Sequence, residues 1–233
     1  MPSNPLNGDE QKMRSNTPNA SIAMIVVLSS IAMLSGFLVV LVSQLTAPMI
    51  AENQRIAIEK ALLEVIPGSV SNKVFLLQNG KLTPSQDLTN KDNIYVGYDA
   101  NGKLSGIASR AAAQGYADMI YLLYGYDPNC ECIRGFKVLK MSETPGLGDK
   151  IIKDVDFQAN FEALDARIEI SKMRLVNPIV TVKHGTKQQP WEIDAITGAT
   201  ISSKAVGNAL NQSAQVLLPK LQPLIPQLQG DLQ

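Results

Sequence analysis

The residues of this chain best suited to chemistry lie in one run near its end, Asp194-Ala195-Ile196-Thr197-Gly198-Ala199-Thr200-Ile201-Ser202. A carboxylate opens it, hydroxyls flank a Gly-Ala pair, and helical apolar spacing follows over residues 202–218. Such a start suits a phosphate. Unpaired amides and the positive end of the helix dipole attract an anion, and Gly198 and Ala199 let the backbone come close. A plain turn, with Ser202 or Ser203 capping the helix, is the simpler account on composition alone. A second run, Glu143-Thr144-Pro145-Gly146-Leu147-Gly148-Asp149-Lys150, places a chain-fixing proline beside two permissive glycines. In isolation it reads as a Pro-Gly surface turn.

Other chemically capable side chains exclude more than they suggest. His184 is the sole histidine, so paired-histidine metal sites, bis-histidine haem and Ser/His/Asp catalysis have little to draw on. It reads as a surface or strand-end residue, and the sequence predicts neither a metal site nor a catalytic residue. Cys130 and Cys132 form C-x-C with no further cysteine to complete a four-thiolate site. Residues two apart on a strand face the same way, so a disulfide there would demand strained local geometry. The pair therefore reads as incidental thiols beside the Asp127-Pro128-Asn129 turn, with a redox or intermolecular role as the alternative.

The elements that must position these residues are legible in part. With 233 residues, 45% of them hydrophobic, the chain can supply one membrane segment and one domain of ordinary size. Lys+Arg and Asp+Glu number 21 each, so no basic surplus marks a nucleic-acid footprint, and nucleic acid is excluded as a partner. No charged residue occurs over residues 15–51, and residues 20–45 are almost continuously apolar. That length spans a bilayer and exceeds the apolar region of a signal peptide, and Pro48 would hinder processing near Ala47. Lys12 and Arg14 on one flank balance Arg55 and Lys60 on the other, so the positive-inside rule does not choose an orientation.

Residues 1–19 read as a short disordered cytoplasmic tail, residues 20–45 as a transmembrane helix and residues 46–68 as a helical stalk ending at Pro67-Gly68. Residues 69–218 form the folded domain, and residues 219–233, with three prolines and four glutamines, read as a flexible C-terminal extension. Within the domain, strands are predicted at 74–77, 94–98, 104–109, 119–124, 132–141 and 179–184. Asn79-Gly80 and Asn101-Gly102 signal hairpins, and helices are predicted at 157–164 and 202–218. The fold class is α+β, with a mainly antiparallel sheet flanked by helices behind one N-terminal transmembrane helix. A doubly wound nucleotide fold is disfavoured, because G-x-G-x-x-G is absent.

The first run matches Asp-x-x-(Ser/Thr)-Gly-Ala-(Ser/Thr)-x-(Ser/Thr) at every specified position. On this motif, the Glu143–Lys150 run, Gly115-Tyr116 as a strand start, and the stalk end Leu62-Leu63-Glu64-Val65-Ile66-Pro67, the chain resembles the FMN-binding domain family. That family is shared by the G subunit of the Rnf ion-translocating electron-transport complex and the C subunit of the Na⁺-translocating NADH:quinone reductase. The resemblance covers roughly residues 20–218.

It implies an electron-transport flavoprotein, a redox subunit of a translocase without stand-alone turnover, carrying covalent FMN as phosphothreonyl-FMN on Thr200. Asp194, Thr197, Gly198 and Ala199 would be in part the phosphate's seat and in part a recognition element. Glu143, Thr144, Pro145, Gly146, Leu147, Gly148 and Tyr116 would line the flavin. A threonine hydroxyl is a weak nucleophile and no histidine stands near it in sequence, so a separate flavin transferase, using FAD and Mg²⁺, would install the cofactor. The implied partners are that transferase, the other proteins of the Rnf complex and the membrane. The implied location is the inner (cytoplasmic) membrane, single-pass, with the bulk of the chain periplasmic. The chain's modest length favours the Rnf protein over its counterpart in the quinone reductase, whose chains carry a larger insertion. A cofactor-free membrane-anchored assembly protein is the alternative from another class.

Overall fold

The computed structural model of the chain describes residues 18–78, 80–90 and 92–230. Two units meet between Ala51 and Glu52, and helix α1, Pro18–Val65, contributes to both. The disordered tail expected at 1–19 lies outside the described residues except for Pro18 and Asn19, which already belong to the helix.

In the first unit α1 is apolar around its whole circumference, and Ile22, Leu28, Met33 and Phe37 are all exposed. A helix without a polar face is suited to lipid rather than to a water-facing surface. The segment Ser21–Val65 is long and apolar enough to cross a membrane, with a mean hydropathy of 2.7 in its most apolar stretch. Two of its hydroxyls are satisfied within the helix: Ser30 Oγ donates to the Val26 carbonyl at 2.7 Å and Thr46 Oγ1 to the Val42 carbonyl at 2.8 Å.

The second unit is built on a seven-stranded antiparallel sheet. Its strands are β1 (Ser71–Gln78), β2 (Lys81–Pro84), β3 (Asn93–Tyr98), β4 (Leu104–Gln114), β5 (Met119–Asp127), β6 (Cys132–Lys140) and β7 (Leu164–Asp165). They lie in the order β2-β1-β3-β4-β5-β6-β7. Successive side chains alternate between faces, and both faces are covered. On one, Ile58, Leu62 and Val65 from the end of α1, with Ile66 just after it, pack with Tyr95, Ala108 and Leu123. Gly125 makes this approach possible, since a Cβ there would lie 1.8 Å from the Val65 carbonyl oxygen. On the other, Ile94, Val96, Ile107, Leu122 and Tyr124 join the main core with Val206, Leu210, Ala214 and Leu218. These last four belong to α4 (Thr200–Leu221). The Tyr124 hydroxyl and Ser213 Oγ are hydrogen-bonded at 3.0 Å, and burial pushes this phenol up to about 12, so it stays neutral. Every residue of β3 is buried, which explains its unalternating apolar run.

Between the sheet and α4 the chain forms α2 (Lys150–Lys153), α3 (Val155–Ala159), β8 (Ile168–Glu169), β9 (Arg174–Leu175), β10 (Val180–Val182) and β11 (Glu192–Asp194). β8 pairs with β9 antiparallel, and β10 with β11 parallel. A final helix, α5 (Ile225–Gly230), follows α4 through a 3₁₀ turn.

The architecture is the α+β arrangement the sequence predicts, with four local corrections. The helix expected at 157–164 is displaced to α3, because Asp154 accepts the Phe157 N–H at 2.9 Å and caps an earlier start. Phe157, Phe161 and Phe136 then cluster edge to face. The strand expected at 179–184 shortens to β10. Gly115 and Tyr116 lie in the β4–β5 turn, closed by Gly115 N–H to the Asp118 carbonyl at 2.9 Å, and do not start a strand. Most consequentially, residues 219–230 are not a flexible extension. Leu221, Leu224, Ile225 and Leu228 are buried, and the Tyr98 hydroxyl donates to the Leu228 carbonyl at 3.0 Å. Leucines and an isoleucine at helical spacing between the prolines supplied an apolar face that composition concealed. Residues 231–233 lie outside the described residues.

Candidate phosphate and flavin site

The first motif turns a strand end into a helix start. After β11 the chain passes Ala195 and Ile196, both buried, and reaches Thr197 and Gly198, both exposed. Gly198 adopts φ +82° with open space beside it, a conformation that side chains disfavour and that swings the chain into α4. Ala199 is the N-cap residue, and it brings no side-chain cap. Thr200, exposed, is the first helical residue. Ser203 N–H donates to the Ala199 carbonyl at 2.9 Å and Ala199 N–H to the Ile196 carbonyl at 3.1 Å. No described group accepts from the amides of Thr200, Ile201 and Ser202, which is how an uncapped helix start presents itself to an anion.

Neither serine caps this helix in the way composition alone would suggest. Ser203 Oγ accepts from the Ile196 amide at 3.1 Å and donates to the Ala199 carbonyl at 2.9 Å, stitching the loop to the first turn. The Ser202 hydroxyl donates to Glu143 Oε2, and Glu143 Oε1 accepts the Ala117 N–H at 3.1 Å. Glu143 is 7% exposed, so the carboxylate joins three segments: the β4–β5 turn, the second glycine run and the start of α4. Two glycines leave it room. A Cβ on Gly115 would lie 2.4 Å from Oε1, and one on Gly148 would lie 2.5 Å from Oε2.

In the second run, Thr144, Pro145, Gly146 and Leu147 are exposed and Gly148 is buried. The Thr144 carbonyl accepts from the amides of Leu147 and Gly148 at 3.2 and 3.1 Å. Gly146 takes φ +79°, and its N–H donates to Asp149 Oδ1 at 2.7 Å. Lys153 Nζ lies 2.8 Å from Asp149 Oδ2. Lys153 first, with the Gly146 N–H assisting, holds the Asp149 carboxyl below the usual carboxylate range.

The two motifs, about fifty residues apart in sequence, are therefore joined through Ser202 and Glu143. Tyr116, 68% exposed, sits beside the Ala117 amide that the same carboxylate holds. Asp194 is turned elsewhere: its Oδ1 accepts the Gly185 N–H at 2.7 Å, and its Oδ2 lies 3.4 Å from His184 Nδ1. His184 Nδ1 also lies 3.0 Å from the Ala195 carbonyl, so the expected strand-end histidine braces the loop below the motif. A cavity of about 270 Å³ on this side is lined by Lys150, Asp154, Asp156, His184, Asp194 and Thr197, among others. Among the described residues no cluster of His, Cys, Asp and Glu could hold a metal ion.

Three contributors escaped the sequence reading. Ser202 occupies the motif's last hydroxyl position, and its hydroxyl is the link to Glu143. The Ala117 amide is a backbone group that no composition reveals. Asn160, 7% exposed, accepts the Asp194 N–H at 3.0 Å and carried no signal. One correction also belongs here: Cys130 and Cys132 form a disulfide. The same-face geometry of a strand does not apply, because Cys130 lies in the turn before β6 and Glu131 takes φ 51°. The two Cα atoms end 5.2 Å apart, within the ordinary range.

The site thus combines an exposed threonine opening an uncapped helix with a glycine loop tied beside it through Glu143. The profile of the FMN-binding domain matches residues 115–215, which contain both motifs. The chain is 32% identical over 181 residues to the G subunit of the ion-translocating oxidoreductase complex of Haemophilus influenzae (strain PittEE), covering 77% of this chain and 79% of that protein. It belongs to the family of G subunits of ion-translocating oxidoreductase complexes. A protein of the same name from Methanosarcina acetivorans is 37% identical over 119 residues, 51% of this chain and 55% of that one. The G subunit of the Na(+)-translocating ferredoxin:NAD(+) oxidoreductase complex of Acetobacterium woodii is 36% identical over 124 residues, 53% and 54%. The chain thus spans about half the length of these two relatives. Among solved structures, the C subunit of the Na(+)-translocating NADH-quinone reductase from Parabacteroides distasonis shares the fold. Its TM-score is 0.59 at 21% identity, with 76% of this chain and 96% of that one covered.

Proposed function

We propose that this chain is the electron-transferring G subunit of an Rnf-type ion-translocating oxidoreductase, with FMN joined through its phosphate to Thr200. The carrying observation is the start of α4: Thr200 is exposed there, and the amides of Thr200, Ile201 and Ser202 have no described acceptor. The residues fit the group, since the open space at Gly198 and Gly146 would admit it. Attachment forms a bond between Thr200 Oγ1 and the phosphorus. With FAD as donor, AMP leaves and the threonine proton is lost. A threonine hydroxyl is a weak nucleophile at neutral pH, so in this reading a separate flavin transferase carries out this step with Mg²⁺.

When bound, the flavin stores and passes on electrons. This chain's residues supply the rest. The first-turn amides of α4 hold the phosphate against the positive end of the helix dipole. The Thr144–Gly148 backbone and the exposed Leu147 and Tyr116 orient and cover the ring. Glu143 fixes the spacing between attachment point and loop. Thr197, Gly198 and Ala199 shape the seat, while Asp194 holds the loop beneath it and offers the transferase a landmark. A tether keeps the cofactor in an open site where equilibrium binding would lose it.

The apolar part of α1 anchors the chain by a single pass, and the folded unit lies on the periplasmic side of the inner membrane, beside the other proteins of the complex. Coexpression with the transferase should give a yellow protein whose flavin fluorescence survives a denaturing gel. A colourless protein under those conditions would reject the covalent assignment. Alkaline phosphatase fused after Gln233 should be active, and activity of a cytoplasm-only reporter at that position would overturn the topology.

A further inference from the structure

Cys130 and Cys132 stand in the turn between β5 and β6, outside the phosphate and flavin site, and their disulfide has no part in the reading above. A bridge across a single residue removes little freedom from the unfolded chain, so it is a poor staple. The turn is also held by other means. Asp127 Oδ1 accepts from the backbone N–H and Nδ2 of Asn129 at 2.8 and 3.0 Å. The Glu131 carbonyl accepts the Ala166 N–H at 3.0 Å, and Cys132 pairs with Asp165 in the β6–β7 ladder. The two cysteines differ sharply in access. Cys130 is exposed, and Cys132 is 4% exposed.

We propose that Cys130–Cys132 is a second redox site, a thiol–disulfide exchange couple for an external dithiol, with Cys130 as the sulfur that is attacked. A thiolate of the external dithiol bonds to Cys130 Sγ as the bond between the two cysteines breaks, and the electron pair leaves on Cys132. The second thiolate of the dithiol then attacks its own sulfur in that mixed disulfide, closing its own disulfide and releasing Cys130. Each cysteine takes up a proton. Two electrons and two protons thus pass from the dithiol to the protein, and the reverse sequence returns them. Burial keeps outside thiols from Cys132, while the short span between the two residues lets it re-form the bond.

The full chain in detergent, treated with dithiothreitol and quenched with a maleimide, should gain two maleimide additions by intact mass. Its thermal midpoint should fall by less than about 4 °C. In Cys132→Ser, Cys130 should form a mixed disulfide with oxidised glutathione at least ~tenfold faster than Cys132 does in Cys130→Ser. If either variant fails to fold, peptide mapping of the wild-type chain, trapped with glutathione during partial reduction, locates the adduct, which should lie on Cys130. A pair that resists dithiothreitol until the chain unfolds, equal or reversed rates in the two variants, or an adduct on Cys132 would overturn the proposal. Thr200→Ala must show the same thiol behaviour, so these outcomes are separate from those of the flavin assignment.

Discussion

Two glycine loops, linked through Glu143 and Ser202, solve opposite problems. At Gly146 and at Gly198 the chain takes a positive φ with open space beside it. In the first loop the resulting amides are consumed internally: Gly146 donates to Asp149, and Leu147 and Gly148 donate to the Thr144 carbonyl. In the second, the turn leads into a helix whose first amides have no described acceptor and whose first residue is an exposed threonine. A closed loop can shape a surface, whereas a helix start with open donors can hold an anion. Shared glycine content says nothing of this division, which depends on where the hydrogen bonds go.

The largest effect should come from Thr200→Ala, which removes the proposed attachment oxygen and, at an exposed position, nothing from the core. Covalent flavin should disappear completely while thermal unfolding changes by less than about 1 kcal/mol, as for an exposed position. Flavin fluorescence persisting in a denaturing gel would assign the linkage elsewhere.

Glu143→Ala should act next, because it strands the Ala117 amide and the Ser202 hydroxyl together. A loss of about 1–3 kcal/mol in denaturant unfolding is expected, with reduced flavinylation as the loop and helix start drift apart. Glu143→Gln, which keeps an acceptor, should restore most of both. Equal behaviour of the two variants would mean that Glu143 does not join the motifs.

Gly146→Val should leave the flavin attached, since the proposed attachment point is Thr200 at the start of α4. Forcing a β-branched residue to positive φ costs about 1–3 kcal/mol and shifts the backbone, so the flavin spectrum and electron-transfer rate should change. A variant identical to wild type in spectrum, potential and rate would show that this loop does not line the cofactor.

The smallest effect concerns Asp149. Its folded-state pKa is depressed by Lys153 and the Gly146 amide, so its contribution to the loop is fully present above the ordinary aspartate value. That contribution is lost only as pH falls through the depressed pKa. Hydrogen exchange at the Gly146 amide should therefore, after correction for intrinsic rates, be insensitive to pH near neutrality and rise in acid. In Asp149→Asn the acid rise should vanish, with little change in overall stability because the Lys153 partner is exposed to solvent.

How far the sequence reached differs between these same regions. The sheet was legible because alternation and Asn-Gly turns are local signals, and β1 and β3 to β6 all fall on their predicted cores. The helix bearing Thr200 was legible from apolar spacing, though its start at Thr200 rather than Ser202 depended on the Gly198 turn. The C-terminal segment was misjudged because its prolines and glutamines outweighed the spacing of Leu221, Leu224, Ile225 and Leu228, whose burial only the assembled sheet supplies. The joining role of Glu143 could not be read at all, since its partners are a backbone amide 26 residues away and a hydroxyl 59 residues away. The Cys130–Cys132 bond was not legible because the same-face argument holds only along a strand, whereas Cys130 and Glu131 lie in the turn before β6 and Glu131 takes φ 51°.

The central claim is the bond to Thr200, and one peptide tests it. Trypsin cleavage after Lys187 and Lys204 releases residues 188–204, which carry four hydroxyl side chains: Thr197, Thr200, Ser202 and Ser203. Ser202 and Ser203 are buried, with their hydroxyls already engaged. Fragmentation of this peptide from protein matured with its transferase should place one FMN, less one water, on Thr200. The same increment on Thr197, Ser202 or Ser203, or its absence from the peptide of a protein that is still yellow, would contradict the account.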